Sequence, residues 1–283
     1  MPKEALKGAR AFYAEELRAI AGITGGSAVI RAFAKIQREK FLGPGPWTVR
    51  SLLGSYRTPN KNPRWLYHDV LVSLNAAKGI NNGSPAFWAF LFSHLDVKPG
   101  DRILQVGAGS GYYAAILAEL VGRSGRVHAV EFDGRLARRA KTNLAPWPHV
   151  NIILGDASVV DVGEIDIVVA FAGGTHPARI WLEWLAPFGR LLMPLVTDSG
   201  GGFILKAVRR RKGFAAKALS PCGFILAEGF RNKKEAVALK KALAACKGKS
   251  PTLDSLHIGQ LPLSQRSRAF FSGQSFWLSK AEA

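Results

Sequence analysis

A strand-like segment, three alternating glycines and a helix-like segment follow one another near the middle of the chain. Residues 102–106 are a largely apolar run of strand length, and Gly107, Gly109 and Gly111 come next. Residues 112–121 then have the composition of a buried helix. A turn without Cβ atoms between a strand and a helix lets a nucleotide-like ligand approach the backbone. The feature therefore predicts an α/β sheet with a nucleotide-type site at this turn.

The spacing of the glycines indicates which ligand binds there. The dinucleotide fingerprint needs its third glycine at the position that Tyr112 occupies in this chain. The third glycine here is one residue earlier, at Gly111, and this favours S-adenosyl-L-methionine over NAD. The predicted cofactor contacts in the turn are Gly107, Ala108, Gly109, Gly111 and Tyr112.

Acidic residues follow the next two predicted strands. Glu131 ends the second strand, where a carboxylate can accept hydrogen bonds from both ribose hydroxyls. Asp156 follows the third strand, where it is placed to meet the adenine amino group. Their neighbours Phe132 and Ala157 complete the predicted cofactor site. All of these positions lie at the carboxyl ends of strands, the edge at which open α/β sheets bind ligands.

Strand-like and helix-like segments alternate from residue 101 onward. The predicted strands are residues 102–106, 126–131, 150–154, 165–171 and 189–195, and the predicted helices are residues 112–121, 134–144 and 177–186. Residues 201–209 and 221–229 are predicted as a final antiparallel pair. Such alternation is typical of a doubly wound, seven-stranded, mostly parallel sheet with helices on both faces.

The region before residue 101 has a different character. Residues 3–21 and 27–40 are predicted as two helices, and residues 43–63 are too rich in proline, glycine and asparagine to predict regular elements. Residues 65–74 are predicted as a short strand. Ser84 is a suitable N-cap for a following helix that has Pro85 at its first position.

The chain is strongly basic, with 39 lysine and arginine residues against 20 acidic ones and a net charge of +19. This charge favours acidic partners and does not bear on the fold. The local clusters at residues 209–212, 233–234 and 240–241 fall on a predicted turn and helix, without interleaved aromatic residues for base stacking. We therefore favour a protein or peptide substrate over nucleic acid, which remains a second candidate partner.

Cysteine usage and hydropathy predict the compartment. Cys222 and Cys246 have no metal-like spacing, so neither a metal site nor a disulfide framework is predicted. No apolar run is long enough for a bilayer span, and residues 1–18 lack the apolar centre of a secretory signal. We expect a cytoplasmic protein without membrane attachment.

Six segments carry a resemblance to a known family. The central ones are LDVKPGDRIL (95–104), GAGSGYYAAILAELVG (107–122) and LAPFGRLLMPL (185–195), and the upstream ones are FYAEEL (12–17), REKFL (38–42) and YHD (67–69). Over residues 10–195 the chain resembles S-adenosylmethionine-dependent methyltransferases of the protein-L-isoaspartate O-methyltransferase type. The resemblance implies the Rossmann-like methyltransferase fold and transfer of a methyl group to a carboxylate of a protein or peptide.

Two positions differ from the family pattern. The family usually has an acidic residue at Gln105, where it helps to hold the methionine ammonium; Gln105 can accept a hydrogen bond there without the charge. With Pro85 aligned to the proline of the family's "TISxP" loop, the family serine falls on Gly83, and Ser84 lies one residue later. The candidate acceptor-side residues are Asn82, Ser84 and His176, the last of which follows the fourth strand.

A carboxylate acceptor explains why the sequence shows no nucleophile-and-base signature. A carboxyl group with a pKa near ~4 is already ionised at neutral pH and needs no general base. Catalysis then consists mainly of alignment and exclusion of water. Methylation of RNA or of a small metabolite, and cofactor binding without turnover, are the alternatives, and the sequence leaves the oligomeric state open.

These observations predict three regions. Residues 1–79 form an N-terminal helical and irregular cap, residues 80–230 form the S-adenosylmethionine-dependent methyltransferase domain, and residues 231–283 form a C-terminal extension with a basic helix and a tail.

Overall fold

A computed structural model describes residues 3–51 and 54–281. Its α-helices are α1 (Lys3–Ile20), α2 (Ala28–Lys35), α3 (Glu39–Leu42), α4 (Pro85–Leu95), α5 (Tyr112–Val121), α6 (Gly134–Asn143), α7 (Arg179–Trp184) and α8 (Lys233–Ala244). Its strands are β1 (Thr48–Ser51), β2 (Gly54–Arg57), β3 (Leu71–Asn75), β4 (Ile80–Asn81), β5 (Arg102–Val106), β6 (Arg126–Glu131), β7 (Val150–Leu154), β8 (Ile165–Ala170), β9 (Leu185–Val196), β10 (Gly201–Arg209), β11 (Phe214–Gly223), β12 (Leu253–Ile258), β13 (Ala269–Ser272) and β14 (Phe276–Lys280). Single 3₁₀ turns span Pro63–Leu66 and Leu263–Arg268.

The chain forms two compact units that alternate along the sequence. The first unit comprises Met1–Asp101, Ala108–Val127 and Asp133–Ile152, and the second comprises Arg102–Gly107, His128–Phe132 and Ile153–Ala283. The glycine turn thus lies where the chain passes from the second unit to the first.

The first unit has an aromatic helical core built around a buried cation. The ring of Tyr13 contacts Phe33 and Tyr67 edge to face. Arg38 is fully buried, with its guanidinium over the ring of Tyr13, and donates hydrogen bonds to the carbonyl oxygens of Leu66, His68 and Val70. Three carbonyl acceptors reduce the cost of burying the guanidinium charge.

The helix predicted over residues 27–40 is divided in the structure. Helix α2 ends at Lys35 because Ile36 has an extended backbone, with φ −75° and ψ 124°. The chain resumes helical geometry only at α3. This break precedes Arg38, whose side chain is committed to the carbonyl groups of residues 66–70.

Residues 43–63, predicted as irregular, contain a β-hairpin. Strands β1 and β2 pair antiparallel, and β3 pairs with β1 and β4 in a four-stranded sheet of order β2-β1-β3-β4. Trp47 and Val49 are buried in a small core with Val72, and the backbone N–H of Trp47 donates to Thr58 Oγ1. The strand predicted over residues 65–74 is therefore limited to β3, after the first 3₁₀ turn.

The second unit is centred on a mixed sheet, which has ten strands rather than the predicted seven. Its order is β13-β14-β12-β11-β10-β9-β8-β5-β6-β7. Strands β5, β8 and β9 are parallel to one another, and from β9 through β12 each neighbour is antiparallel. Strands β5 to β7 and helices α5 and α6 begin at the predicted residues, whereas β9 begins earlier than predicted, at Leu185.

The predicted strand over residues 221–229 is wrong, because β11 spans Phe214–Gly223. After Gly223 the chain leaves β10 and runs beside the segment that follows β8. There the N–H of Gly173 donates to Ile225 O at 2.8 Å, and the N–H of Ala227 donates to Gly173 O at 2.9 Å. The apolar residues that suggested a strand thus pair with a loop.

The predicted C-terminal tail is part of the sheet. Leu256 of β12 pairs with Phe214 of β11, and β14 and β13 follow at the sheet's edge. The side chains of Leu256, Phe276 and Leu278 are almost fully buried in the core that also contains Leu205. The C-terminal strands therefore contribute to the main hydrophobic core. Among the described residues, no helix has the length and apolar character needed to cross a membrane.

Candidate active site

The ends of four strands meet at one edge of the ten-stranded sheet. The N–H of Gly107, just after β5, donates to the carbonyl of Val130 at 2.9 Å. The N–H of Gly155, just after β7, donates to the carbonyl of Glu131 at 3.1 Å. On the other side of β5, the N–H of Phe171 donates to Val106 O at 2.8 Å. The structure thus brings together the predicted positions after β5, β6 and β7.

The glycine turn has the backbone conformation that its sequence predicts. The φ angles of Gly107, Gly109 and Gly111 are 86°, 58° and 92°, which L-residues with side chains rarely adopt. Gly111 also has a packing role, since a Cβ there would lie 2.7 Å from Leu144 Cδ1. At Gly109 a Cβ would make only an ordinary contact, 3.5 Å from Leu74 Cδ1. Backbone geometry therefore requires all three glycines, and helix packing adds a second requirement at Gly111.

Two predicted cofactor contacts in the turn have little free side-chain surface. The Tyr112 side chain is buried, its hydroxyl lies 3.2 Å from that of Tyr13, and burial raises its pKa to about 12. Its ring packs against Phe41 in the first unit. Ala108 is also buried. Any contact of these residues with a ligand must therefore use their backbone.

Gln105 is a fully buried polar residue near the end of β5. Its Nε2 donates a weak hydrogen bond to Gly107 O at 3.4 Å. Its Oε1 is buried and has no hydrogen-bond partner among the described residues. A buried acceptor without a donor costs free energy, so ligand-binding edges are where such an atom is expected. Gln105 Oε1 is suited to accept from an ammonium group.

Glu131 and its neighbour differ sharply in burial. The Glu131 side chain is buried at the end of β6, whereas that of Phe132 is 61% exposed. A buried carboxylate beside the glycine turn is suited to accept hydrogen bonds from vicinal hydroxyls. The exposed ring of Phe132 offers an apolar face next to it.

Asp156 keeps one carboxylate oxygen free of protein donors. Its Oδ1 accepts from the N–H and the hydroxyl of Ser158, both at 2.8 Å, whereas Oδ2 has no donor among the described residues. The backbone of Gly229 lies close by, since a Cβ there would be 2.6 Å from Oδ2. The carbonyl of the next residue, Ala157, accepts from Trp181 Nε1 at 2.8 Å. Sequence reasoning missed Gly229, because only the fold places it beside Asp156.

The candidate residues Asn82 and Ser84 lie in the first unit and are bound to their own loop. Asn82 Oδ1 accepts from the N–H of Val72 at 2.7 Å, and its Nδ2 is buried without a partner among the described residues. Ser84 is the N-cap of α4, as predicted, and accepts from the N–H of Phe87. Its hydroxyl donates to Asp69 Oδ1 at 2.8 Å. Both side chains therefore order the loop before α4.

Gly83 has a conformation that a serine could not adopt easily. Its φ is 72°, and a Cβ would lie 2.8 Å from Trp88 Nε1. The N–H of Gly83 donates to Asn81 Oδ1 at 2.8 Å. A serine at residue 83, where the resemblance places the family serine, would therefore be strained in this chain.

His176 lies beyond the end of β8 and contacts a residue that the sequence did not indicate. Its Nδ1 is 2.6 Å from Glu235 Oε2, and the hydroxyl of Thr175 donates to the same oxygen at 2.9 Å. Although burial raises the pKa of Glu235, hydrogen bonds from His176, Gln274 and Thr175 outweigh it and hold the pKa below its usual value. Glu235 is far from His176 in sequence and carries no local motif.

Comparison with known proteins gives a consistent family. Residues 14–229 match the model of the protein-L-isoaspartate(D-aspartate) O-methyltransferase family. The chain is 27% identical over 201 residues to a protein-L-isoaspartate O-methyltransferase of Ignicoccus hospitalis, covering 70% of this chain and 87% of that protein. It is 31% identical over 194 residues to a protein-L-isoaspartate O-methyltransferase of Aeropyrum pernix, covering 67% of each chain.

Solved structures support the fold. A protein-L-isoaspartate O-methyltransferase structure aligns with a TM-score of 0.66 at 17% identity, covering 96% of this chain and 88% of that one. The beta-aspartate methyltransferase of Plasmodium falciparum, solved in complex with S-adenosyl-L-homocysteine, aligns with a TM-score of 0.60 at 20% identity and covers 76% of this chain and 95% of that one. The ten-stranded sheet is therefore an elaborated form of the Rossmann-like methyltransferase fold.

Proposed function

Because the chain belongs to the protein-L-isoaspartate(D-aspartate) O-methyltransferase family, we propose that it transfers a methyl group from S-adenosyl-L-methionine to a carboxylate of a protein or peptide. The favoured acceptor is an isoaspartyl residue. The proposal rests on the way the ends of β5, β6 and β7 meet. The Gly107–Val130 and Gly155–Glu131 hydrogen bonds join them.

Three polar groups at this edge fit the three parts of the cofactor. Glu131 would accept hydrogen bonds from the ribose hydroxyls, and Asp156 Oδ2 would accept from the adenine amino group. Gln105 Oε1, buried and without a partner among the described residues, would accept from the methionine ammonium. When bound, S-adenosyl-L-methionine supplies an electrophilic methyl group on a positively charged sulfur. The backbone of Gly107 and Gly109 allows close approach to the ligand.

The residues of the chain need not remove a proton from a carboxylate acceptor. The acceptor oxygen is ionised at neutral pH, so the protein must orient it toward the methyl carbon and exclude water. We propose that Asn82 and Ser84 act by ordering the loop before α4, through Val72 and Asp69 respectively. His176 is the proposed acceptor-side contact in the second unit.

Methyl transfer to a synthetic peptide with one isoaspartyl residue tests this function. The expected product is a peptide methyl ester that is hydrolysed by mild base, which separates it from N-methylation or ether formation. A peptide with aspartate in place of isoaspartate is the matched control and should gain much less methyl. Equal labelling of both peptides, or base-stable labelling, would contradict the proposal and direct attention to RNA and small acids.

The state of the cysteines bears on the cellular setting. Both cysteines are free thiols in the structure. We propose a cytoplasmic location, which fractionation of cells that express the protein would test.

A further inference from the structure

Glu235 is a buried carboxylate whose two oxygens are both hydrogen-bonded. It lies in the first turn of α8, and its side chain is only 5% exposed. Oε2 accepts from Thr175 Oγ1 at 2.9 Å and lies 2.6 Å from His176 Nδ1, and Oε1 accepts from the N–H of Gln274 at 2.8 Å. Burial of an ionised carboxylate is costly unless donors surround it in this way. The His176–Glu235 pair is thus an ordered ion pair or charge-assisted hydrogen bond.

No other cation competes for Glu235 among the described residues. Arg231, four residues earlier, is paired with Asp198 at 2.5 Å. Lys233 and Lys234 on the first turn of α8 are exposed. Thr175 Oγ1 accepts from the N–H of Asn232 and so directs its own proton to Glu235. His176 is therefore the one titratable partner that faces this carboxylate in the described part of the chain.

This contact defines the chemistry of the other imidazole nitrogen. An ionised carboxylate can only accept, so Nδ1 of His176 carries a proton. Nε2 has no hydrogen-bond partner among the described residues, and the side chain is 23% exposed. A carboxylate that accepts a hydrogen bond from one ring nitrogen holds the imidazole in place and thereby orients the other ring nitrogen. Nε2 is consequently the functional end of the pair, and it donates a hydrogen bond when the ring is protonated.

The pair lies at the same edge of the sheet as the cofactor residues of the second unit. Ala170, the last residue of β8, is in register with Val106 at the end of β5. Gly174, two residues before His176, forms a bridge with Leu195 near the end of β9. His176 thus follows strand ends that adjoin Gly107, at the edge where acceptors reach such sheets.

The carboxylate that holds His176 comes from outside the family match, although Thr175 Oγ1, within the match, also lies 3.0 Å from His176 Nδ1. That match ends at residue 229, whereas Glu235 and Gln274 lie in α8 and in the turn between β13 and β14. Thr175 is tied to the same segment, because its N–H donates to Phe230 O at 3.2 Å. The C-terminal segment therefore adds to the family scaffold a carboxylate that orients His176.

We propose that residues 230–281 complete the acceptor site: Glu235 positions His176, and protonated His176 Nε2 holds one oxygen of the acceptor carboxylate while the other oxygen takes the methyl group. The proposal rests on the carboxyl methylation proposed above. His176 touches the substrate in this scheme, and Glu235 acts through it. The ligand class is an anionic carboxylate on a peptide.

Kinetics of E235Q and H176Q, with E228Q as the matched control, test the pair. Glu228 is an exposed residue just before this segment. We expect E235Q and H176Q to raise the KM for the isoaspartyl peptide about tenfold or more. The Kd for S-adenosyl-L-homocysteine, measured by calorimetry, should stay unchanged in all three variants. Wild-type peptide KM in both E235Q and H176Q would overturn the proposal.

NMR of the His176 ring gives a readout that a purely structural role would not move. In the wild-type protein, the ring should show a proton on Nδ1, and the signal of this proton should change in E235Q because its carboxylate acceptor is lost. Adding the isoaspartyl peptide should shift the His176 signals, and adding the same peptide with its isoaspartyl carboxyl group amidated should not. Equal responses to the two peptides would overturn the proposal.

The two levels of the proposal can fail separately. A wild-type protein that forms no ester contradicts the carboxyl methylation, and the peptide titration by NMR then still tests whether His176 binds a carboxylate. A wild-type protein that forms the ester, with unaffected E235Q and H176Q, contradicts only the role of the pair. If E235Q fails to fold, the kinetics of H176Q and the peptide titration of the wild-type protein by NMR can still support or contradict the proposal.

Discussion

At the scale of single residues, the proposed cofactor site contains polar atoms that have no protein partner among the described residues. Gln105 Oε1 is buried without a donor among the described residues, and Asp156 Oδ2 likewise has no protein donor. The buried Gln105 Oε1 is costly in a folded protein unless a ligand satisfies it, whereas the half-buried carboxylate of Asp156 is left open to a donor from solvent or from a ligand. Their position beside the glycine turn is therefore better explained by ligand binding than by stability.

Replacing Glu131 with alanine should weaken cofactor binding strongly. The change removes two charge-assisted hydrogen bonds to the ribose, a loss of about 2–4 kcal/mol. Calorimetry with S-adenosyl-L-homocysteine measures it, and E164A is the control because Glu164 is an exposed partner of Arg102. Equal affinities of E131A and E164A would remove Glu131 from the site.

The Gln105→Glu substitution should strengthen binding of the methionine portion of the ligand. A charged acceptor in place of a neutral one adds about 1 kcal/mol, or about fivefold in affinity. The affinity for adenosine, which lacks the ammonium group, should not change. An equal gain in affinity for adenosine and for S-adenosyl-L-homocysteine, or no gain for either ligand, would show that residue 105 does not face the ammonium.

At the scale of elements, β5 and β8 are joined by an ion pair as well as by their ladder. Arg102 donates to Asp166 from its backbone N–H, Nε and Nη2, at 2.8 to 3.0 Å. These hydrogen bonds hold the pKa of Asp166 below its usual value, against the effect of burial. The pair fastens the start of β5 to the start of β8, at the sheet edge opposite the glycine turn.

Replacing Asp166 with asparagine should make stability less dependent on pH. A carboxyl group with a lowered pKa stabilises the fold above its unfolded pKa of about 4, and this contribution is lost as the pH falls through the lower folded pKa. At neutral pH the free energy of unfolding of the wild type should exceed that of D166N by about 1 kcal/mol. Urea unfolding at neutral and strongly acidic pH checks this; a difference that persists undiminished in acid would contradict it.

The C-terminal strands should be as important to stability as the central ones. Leu278 of β14 is fully buried in the main core, whereas Ile258 at the end of β12 is 43% exposed. We expect L278A to lower the free energy of unfolding by about 2–5 kcal/mol. The control I258A should cost less than about 1 kcal/mol. Similar losses for the two variants would mean that β12 to β14 are peripheral.

The local sequence predicted the elements that have local signals. It failed for the strands whose formation depends on pairing with segments that are distant in the sequence. Strands β5 to β7 and helices α5 and α6 were predicted because each has a local pattern of apolar residues with turn residues near its ends. The strands β12 to β14 were missed because their short segments carry polar residues and gain stability only from neighbours. The hairpin of β1 and β2 was hidden by flanking proline, glycine and asparagine.

At the scale of the whole molecule, the same distinction applies to the candidate site. Gly107, Glu131 and Asp156 could be predicted because each follows its own strand. The partner of His176 could not, since Glu235 is 59 residues away and only the packing of α8 brings it there. The structural role of Gly83 was equally hidden, because it depends on its φ of 72° and on Trp88.

The net charge of +19 also belongs to the whole molecule. A positive protein attracts acidic chains over distances of about a Debye length, ~8–10 Å at physiological salt. An isoaspartyl residue exposes a carboxylate on a peptide side branch, so the charge and the proposed acceptor have opposite signs. The charge assists encounter, and the identity of the acceptor depends on the site itself.

The most direct test of the central claim is to locate the transferred methyl group. The wild-type protein is incubated with S-adenosyl-L-methionine and a peptide that contains one isoaspartyl residue, and the product is fragmented by mass spectrometry. We expect one methyl group on the carboxyl group of the isoaspartyl residue, lost in mild base and absent from the aspartyl isomer. A methyl group on any nitrogen or hydroxyl, or no transfer by a protein that binds the cofactor, would contradict carboxyl methylation by this chain.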